Sequence, residues 1–70
     1  MLFVIRDLDT GLFLDKGAWT VSPKFAQHFQ DQKAVERAVF EHQIKNAEMV
    51  FLNDSLEVTG GTFMPLPPAS

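Results

Sequence analysis

The sequence predicts a small α+β domain: two β-hairpins forming an antiparallel sheet, with one main helix packed on one face. Three observations carry this reading. Apolar, β-rich runs broken by turn residues open the chain and recur near its end. Between them lies a stretch from Gln32 to about Ala47 with no Gly or Pro and mostly good helix formers. Strands gathered on either side of one helical stretch, rather than alternating with several, are the pattern of an α+β fold.

Leu2-Phe3-Val4-Ile5-Arg6 is the first strand. Leu8-Asp9-Thr10-Gly11 reads as a turn, because Asp enters turns readily and Gly accepts positive φ. Leu12 to Lys16 follows as the second strand and completes a hairpin. Trp19-Thr20-Val21 either extends that strand or starts a short third one. Ser22-Pro23 matches an N-cap followed by Pro in the first helical position, so Lys24 to Phe29 is expected to form one or two helical turns. Asp31 is the N-cap candidate for the main helix. Glu48-Met49-Val50-Phe51-Leu52 is the next strand, Asn53-Asp54-Ser55 a turn, and Leu56-Glu57-Val58-Thr59 a strand ended by Gly60-Gly61. The expected organisation is one domain over 1–61 and a Pro-rich tail over 62–70, extended or disordered.

Seventy residues with no Cys cannot be stapled by disulfides. Below about 80 residues a lone core supplies only a few kcal/mol. Seven Phe and one Trp therefore imply aromatic burial, association, or both. Trp19 is expected in the core, with an interface anchor as the alternative. No apolar run approaches the roughly 20 residues that span a bilayer, and Met1 to Arg6 lacks the features of a secretory signal. The expectation is a cytoplasmic protein beginning at its natural start, with no membrane partner.

The net charge of −3 is uneven. Glu48, Asp54 and Glu57 are the only charged residues after position 47. They read first as solvated surface and second as a surface for a basic partner. No basic patch is available to neutralise a row of phosphates, so direct nucleic-acid binding is not expected.

Chemistry-bearing motifs are sparse. His28 and His42 stand fourteen residues apart without the closely spaced ligands of a zinc site, and are expected as partly exposed helix residues. Nucleophilic catalysis needs a Ser or Thr with a base in reach, and Ser22, Ser55 and Ser70 read instead as cap, turn and tail residues. Gly60-Gly61 lacks the context of a phosphate loop. No catalytic, metal or cofactor residues are assigned. Pro65-Leu66-Pro67-Pro68 has PxxP spacing without a flanking base. The favoured expectation is that Phe63, Met64 and Leu66 fold back over the core or a sheet edge.

On a helical wheel, Ala34, Val35, Ala38 and Val39 span an arc of about 140°, and Phe40, Ile44 and Ala47 a second arc of about 60°. Glu36 and Gln43 lie between them. One wide core-facing stripe with polar margins accounts for this; two arcs facing two neighbours is the sharper alternative.

Phe3-Val4-Ile5-Arg6, Thr10-Gly11-Leu12-Phe13-Leu14, Trp19-Thr20, Ala26, Phe29 and Ala34 form a layout of strand, Thr-Gly, strand, Trp-Thr and Ala-x-x-Phe. Over residues 3–35 this resembles short uncharacterised proteins of bacteriophages and prophages. The resemblance implies a phage accessory protein that binds a host machine, such as RNA polymerase or a defence complex, in the host cytoplasm. The resulting expectation is a non-catalytic protein-binding module. Glu36, Phe40, Gln43 and Ile44 are its expected contact residues, with Glu48, Asp54 and Glu57 as an acidic rim. A small structural or regulatory homodimer is the alternative, and a nucleic-acid-binding regulator the third reading.

Overall fold

The computed structural model describes residues 2–65. The strands are β1 (Leu2–Asp7), β2 (Phe13–Asp15), β3 (Ala18–Thr20), β4 (Asn46–Leu52) and β5 (Val58–Pro65), and the helix α1 (Gln32–Glu41) lies between β3 and β4. The sheet order is β3-β2-β1-β4-β5, and every pairing is antiparallel. The expected α+β class holds, with β1 at the centre.

The alternation of β1 divides its side chains between two faces. Phe3 and Ile5 share one face with Phe51 and Met49, their partners on β4. This face carries the larger core, where Ile5, Leu14, Phe29, Met49 and Ala47 pack with Val35, Ala38 and Val39 of α1. Val4 points the other way and builds a smaller core with Phe13, Ala26, Val50 and Leu52, flanked by Leu2 and Leu56. The most deeply buried large side chains are Ile5, Leu14, Val4, Val35 and Val39, all aliphatic. Each is worth about 1.5–3 kcal/mol of transfer free energy.

Residues 24–29 depart from the expected helical turns. Ser22 accepts a bond from the Phe25 N–H at 3.2 Å, so Pro23 serves a tight turn and not a helix start. The chain then runs extended into a gap in the sheet. Between β1 and β2 the register holds at Arg6 and Phe13 alone. Where β2 diverges, the Gln27 N–H donates to the Leu14 carbonyl at 3.0 Å, and Phe29 exchanges both backbone bonds with Phe3 at 2.8 and 2.9 Å. The Phe29 bonds satisfy the backbone of β1 that β2 leaves open, and the Gln27 bond does the same for Leu14 of β2. His28 is consequently half-buried beside this edge, outside any helix.

Helix α1 starts where expected. Asp31 is extended, and its Oδ1 accepts the Ala34 N–H at 2.8 Å. Its end comes earlier than the Ala47 boundary expected from composition. His42 closes it, and Gln43 adopts left-handed backbone with φ 51°. The Gln43 N–H donates to Phe40 O at 3.2 Å and the Ile44 N–H to Val39 O at 3.1 Å, the paired bonds of a Schellman cap. The accompanying apolar contact comes from Ile44 and Val39, members of one core cluster. Ala47 thus belongs to β4, and the second helical arc does not exist.

Strand β5 starts two residues later than expected and runs through Gly60-Gly61 to Pro65, pairing Thr62 with Met49 and Met64 with Ala47. Residues 62–65 are therefore sheet and not tail. Of the residues expected to cover the core or a sheet edge, Met64 packs against the helix-side core through strand pairing and Phe63 is exposed, while Leu66 and the rest of the PxxP stretch lie outside the described residues. A bulge at Thr59 shifts the register between Phe51 and Leu52, and the Thr59 hydroxyl donates to the Phe51 carbonyl at 3.2 Å.

The cap geometry predicts that Gln43→Gly raises stability by about 0.5–1 kcal/mol, because Gly occupies left-handed backbone without a Cβ penalty. Ile5→Ala should cost about 2–5 kcal/mol, enough to unfold much of so small a domain. Urea unfolding followed by circular dichroism measures both. Loss of stability in Gln43→Gly would contradict the cap.

Candidate interaction surface

The expected contact residues do not form one surface. Glu36 and Phe40 stand one helical turn apart on the solvent side of α1, and Phe40 is 63% exposed. Gln43 is exposed beside them, its N–H committed to Phe40. Ile44 is 4% exposed and anchors the cap from within the core, which removes it as a contact residue. Asp54 and Glu57 are exposed in the β4–β5 loop, where the Asn53 Oδ1 accepts the Ser55 and Glu57 N–H groups at 2.9 and 3.0 Å.

Glu48 lies on the sheet face opposite α1. Across the sheet the register aligns Phe13, Arg6, Glu48 and Phe63. The Arg6 guanidinium stands 6.0 Å from the Phe13 ring centre and 3.9 Å from Glu48. Arg6 remains 45% exposed, so solvent screening keeps the ion pair to at most about 1 kcal/mol. The Glu48 carboxylate lies over Gly61, 3.0 Å from where a Cβ would stand. Glu48 is thus tied to Arg6 and Gly61, distinct from the loop bearing Asp54 and Glu57.

The largest apolar exposure lies elsewhere. Trp19 is 41% exposed, Val21 80% and Phe25 76%. The expectation that Trp19 fills the core is corrected: β3 is a three-residue edge strand, and its alanine and tryptophan are both exposed. The Ser22–Phe25 turn holds Val21 and Phe25 at its two ends. Composition flagged surplus aromatic residues; only the strand order shows which fall at the edge.

The β1–β2 loop is polar and fixed. The Asn46 side-chain amide donates to both Asp9 carboxylate oxygens at 3.0 and 3.2 Å, and the Leu8 N–H donates to Asn46 O at 2.8 Å. These bonds fasten the β1–β2 loop to the start of β4. A shallow depression of about 550 Å³ is lined by Asp31, Gln32, Lys33, Ala34 and Arg37 at the start of α1. Its most direct polar feature, the Asp31 carboxylate, is engaged in capping. Every buried side chain among the described residues is apolar. No described helix is long and apolar enough to cross a membrane.

Comparison with family models, with curated proteins and with solved structures finds no match for this chain.

Two neighbouring helix residues separate surface from core. Phe40→Ser should change stability by no more than about 0.5 kcal/mol. Val39→Ala should cost about 1–3 kcal/mol. Chemical unfolding decides the pair, and equal losses would show that Phe40 packs inward. Gly61→Ala should cost less in a Glu48→Ala background than alone, because the carboxylate is what a methyl would meet. A double-mutant cycle reads that coupling; additivity would mean the carboxylate is not confined there.

Proposed function

We propose that this chain is a non-catalytic protein-binding module that docks through the apolar side chains of residues 19–25. The observation supporting this is the exposure of Trp19, Val21 and Phe25 within seven residues, on an edge strand and the turn that follows it. Removing large apolar side chains from water is the main favourable term in association, and aromatic residues are frequent interface anchors. The neighbouring Pro23 turn and the bonds of Gln27 and Phe29 hold this loop at both ends. Less ordering is therefore required on docking. The reading favours residues 19–25 over the helix surface, where Phe40 stands as a single large apolar side chain between polar neighbours.

The finer reading is a phage-encoded inhibitor or modulator of a host protein, with RNA polymerase or a defence complex as the target class. Its support is the resemblance of residues 3–35 to phage and prophage proteins. Of the expected acidic rim, Asp54 and Glu57 follow Leu52, which pairs with Leu2, whereas Val21 follows Thr20 on the register line of Arg6. They lie toward the other end of the strands and are secondary to the apolar anchors.

The test is affinity capture with the full chain, followed by titration of the captured protein. The double variant Val21→Ser, Phe25→Ser should weaken binding at least about tenfold, the scale of losing anchor contacts. Phe40→Ser and Asp54→Lys should leave the affinity within about twofold. Equal binding by wild type and the double variant would overturn the assignment. Inhibition of the captured machine by the wild-type chain, lost in the double variant, measures the finer reading.

A further inference from the structure

The outer edge of β5 has a two-fold pattern of its own. The Leu8 N–H bonded to Asn46 O fixes the phase of the β4 ladder: Asn46, Glu48 and Val50 direct their backbone groups to β1. Ala47, Met49 and Phe51 therefore face β5, and their partners Met64, Thr62 and Gly60 face back toward them. The bonds between Phe3 and Phe29 on the far edge of β1 confirm this phase. Gly61 and Phe63 consequently turn both their N–H and C=O groups outward. Pro65, next in that series, brings no N–H, and the Thr59 bulge interrupts the ladder at the other end. Thr59 and Pro65 stand equally far from Thr62.

We infer that the chain forms a two-fold dimer by antiparallel pairing of β5 with β5 of a second copy, centred on Thr62. In this register Gly61 opposes Phe63 of the partner copy, and Phe63 opposes its Gly61. Both pairs exchange two backbone hydrogen bonds, so all four outward donors and acceptors of each edge segment are satisfied. Thr62 faces its own equivalent as a close, non-hydrogen-bonded pair, and Thr–Thr pairs are favourable there. Phe63, 54% exposed, lies across from a glycine that has no side chain of its own and over which the Glu48 carboxylate lies, so the ring packs beside that carboxylate.

The charge pattern supports a second copy as the occupant. No ionisable residue lies between Val58 and Pro65, and the charge nearest the two-fold axis, the Glu48 carboxylate over Gly61, is paired with Arg6 of its own copy. Edge strands that must stay single usually carry Lys or another charge at their centre; here the blunting devices sit only at the two ends, outside the paired segment. The inference is independent of the partner-binding reading, because residues 19–25 adjoin the opposite edge of the sheet.

Sedimentation velocity of the full chain over a range of concentrations should show a monomer–dimer equilibrium. Thr62→Lys and Thr62→Glu should each be folded by circular dichroism and monomeric, because each places like charges directly opposite. Mixing the two variants should restore the dimer, because an ammonium and a carboxylate then face each other across the axis. A second readout is Thr62→Cys in this otherwise cysteine-free chain, which should form a disulfide-linked dimer under mild oxidation, whereas Lys33→Cys should not. A wild-type chain that stays monomeric at millimolar concentration would overturn the inference. So would a dimer that both charged variants retain, or that their mixture fails to restore. Binding of β5 solely to a strand of another protein would overturn it as well.

Discussion

The structure depends on satisfying β1 in every direction. As the central strand it has two edges to pair and two faces to cover. β4 supplies one complete edge, from Leu2–Leu52 to Asp7–Ala47. The other edge is shared: β2 takes the Arg6 end, and Phe29 takes Phe3. Helix α1 and Leu14 cover one face; Phe13, Ala26 and Leu56 help to cover the other. A central strand left half-paired would bury free N–H and C=O groups at a cost of about 1–3 kcal/mol each, a large share of a small domain's stability. The irregular segment before the helix is accordingly as structural as the strands.

Much of this was legible in the chain. Both hairpins, the Asp31 cap and the start of α1 follow from local chemistry, since turns and caps are decided by neighbours in sequence. The missed features share a different cause. The end of α1 is marked by no Gly or Pro; it is set by Ile44 and Val39 meeting in a core that sequence alone does not assemble. Ser22-Pro23 is a good local helix start, but the bonds offered by Leu14 and Phe3 hold residues 27 and 29 extended. Pro65 argues against a strand until the ladder phase turns its nitrogen outward. The candidate surface was legible only in part: Phe40, Glu36 and Gln43 are exposed as expected, while Ile44 is not. The exposed Trp19 required knowledge that β3 lies at the sheet edge.

The division of labour among apolar side chains runs against size. The deepest positions belong to Ile, Leu and Val, while Trp19, Phe25, Phe40 and Phe63 are exposed. Of the remaining aromatic residues, Phe3 and Phe51 meet edge to face, with centroids 5.7 Å apart, at the margin of the helix-side core. β-Branched side chains fit the pleated sheet and the narrow space under a ten-residue helix with little rotamer loss. Phe13 and Phe29 are buried in the two cores, and the other rings are left at the periphery, where they can meet other surfaces.

Placing the first strand in the middle also sets an order of assembly. During synthesis β1 emerges well before β4, its longest partner. The β2 hairpin and Phe29 can close one flank early, because they follow soon in the chain. The opposite flank has to wait for the helix and the segment beyond it to be made. Throughout that interval Val4 and Ile5 sit on a half-built sheet, and the nascent chain is most open to capture by chaperones or to mispairing with its neighbours.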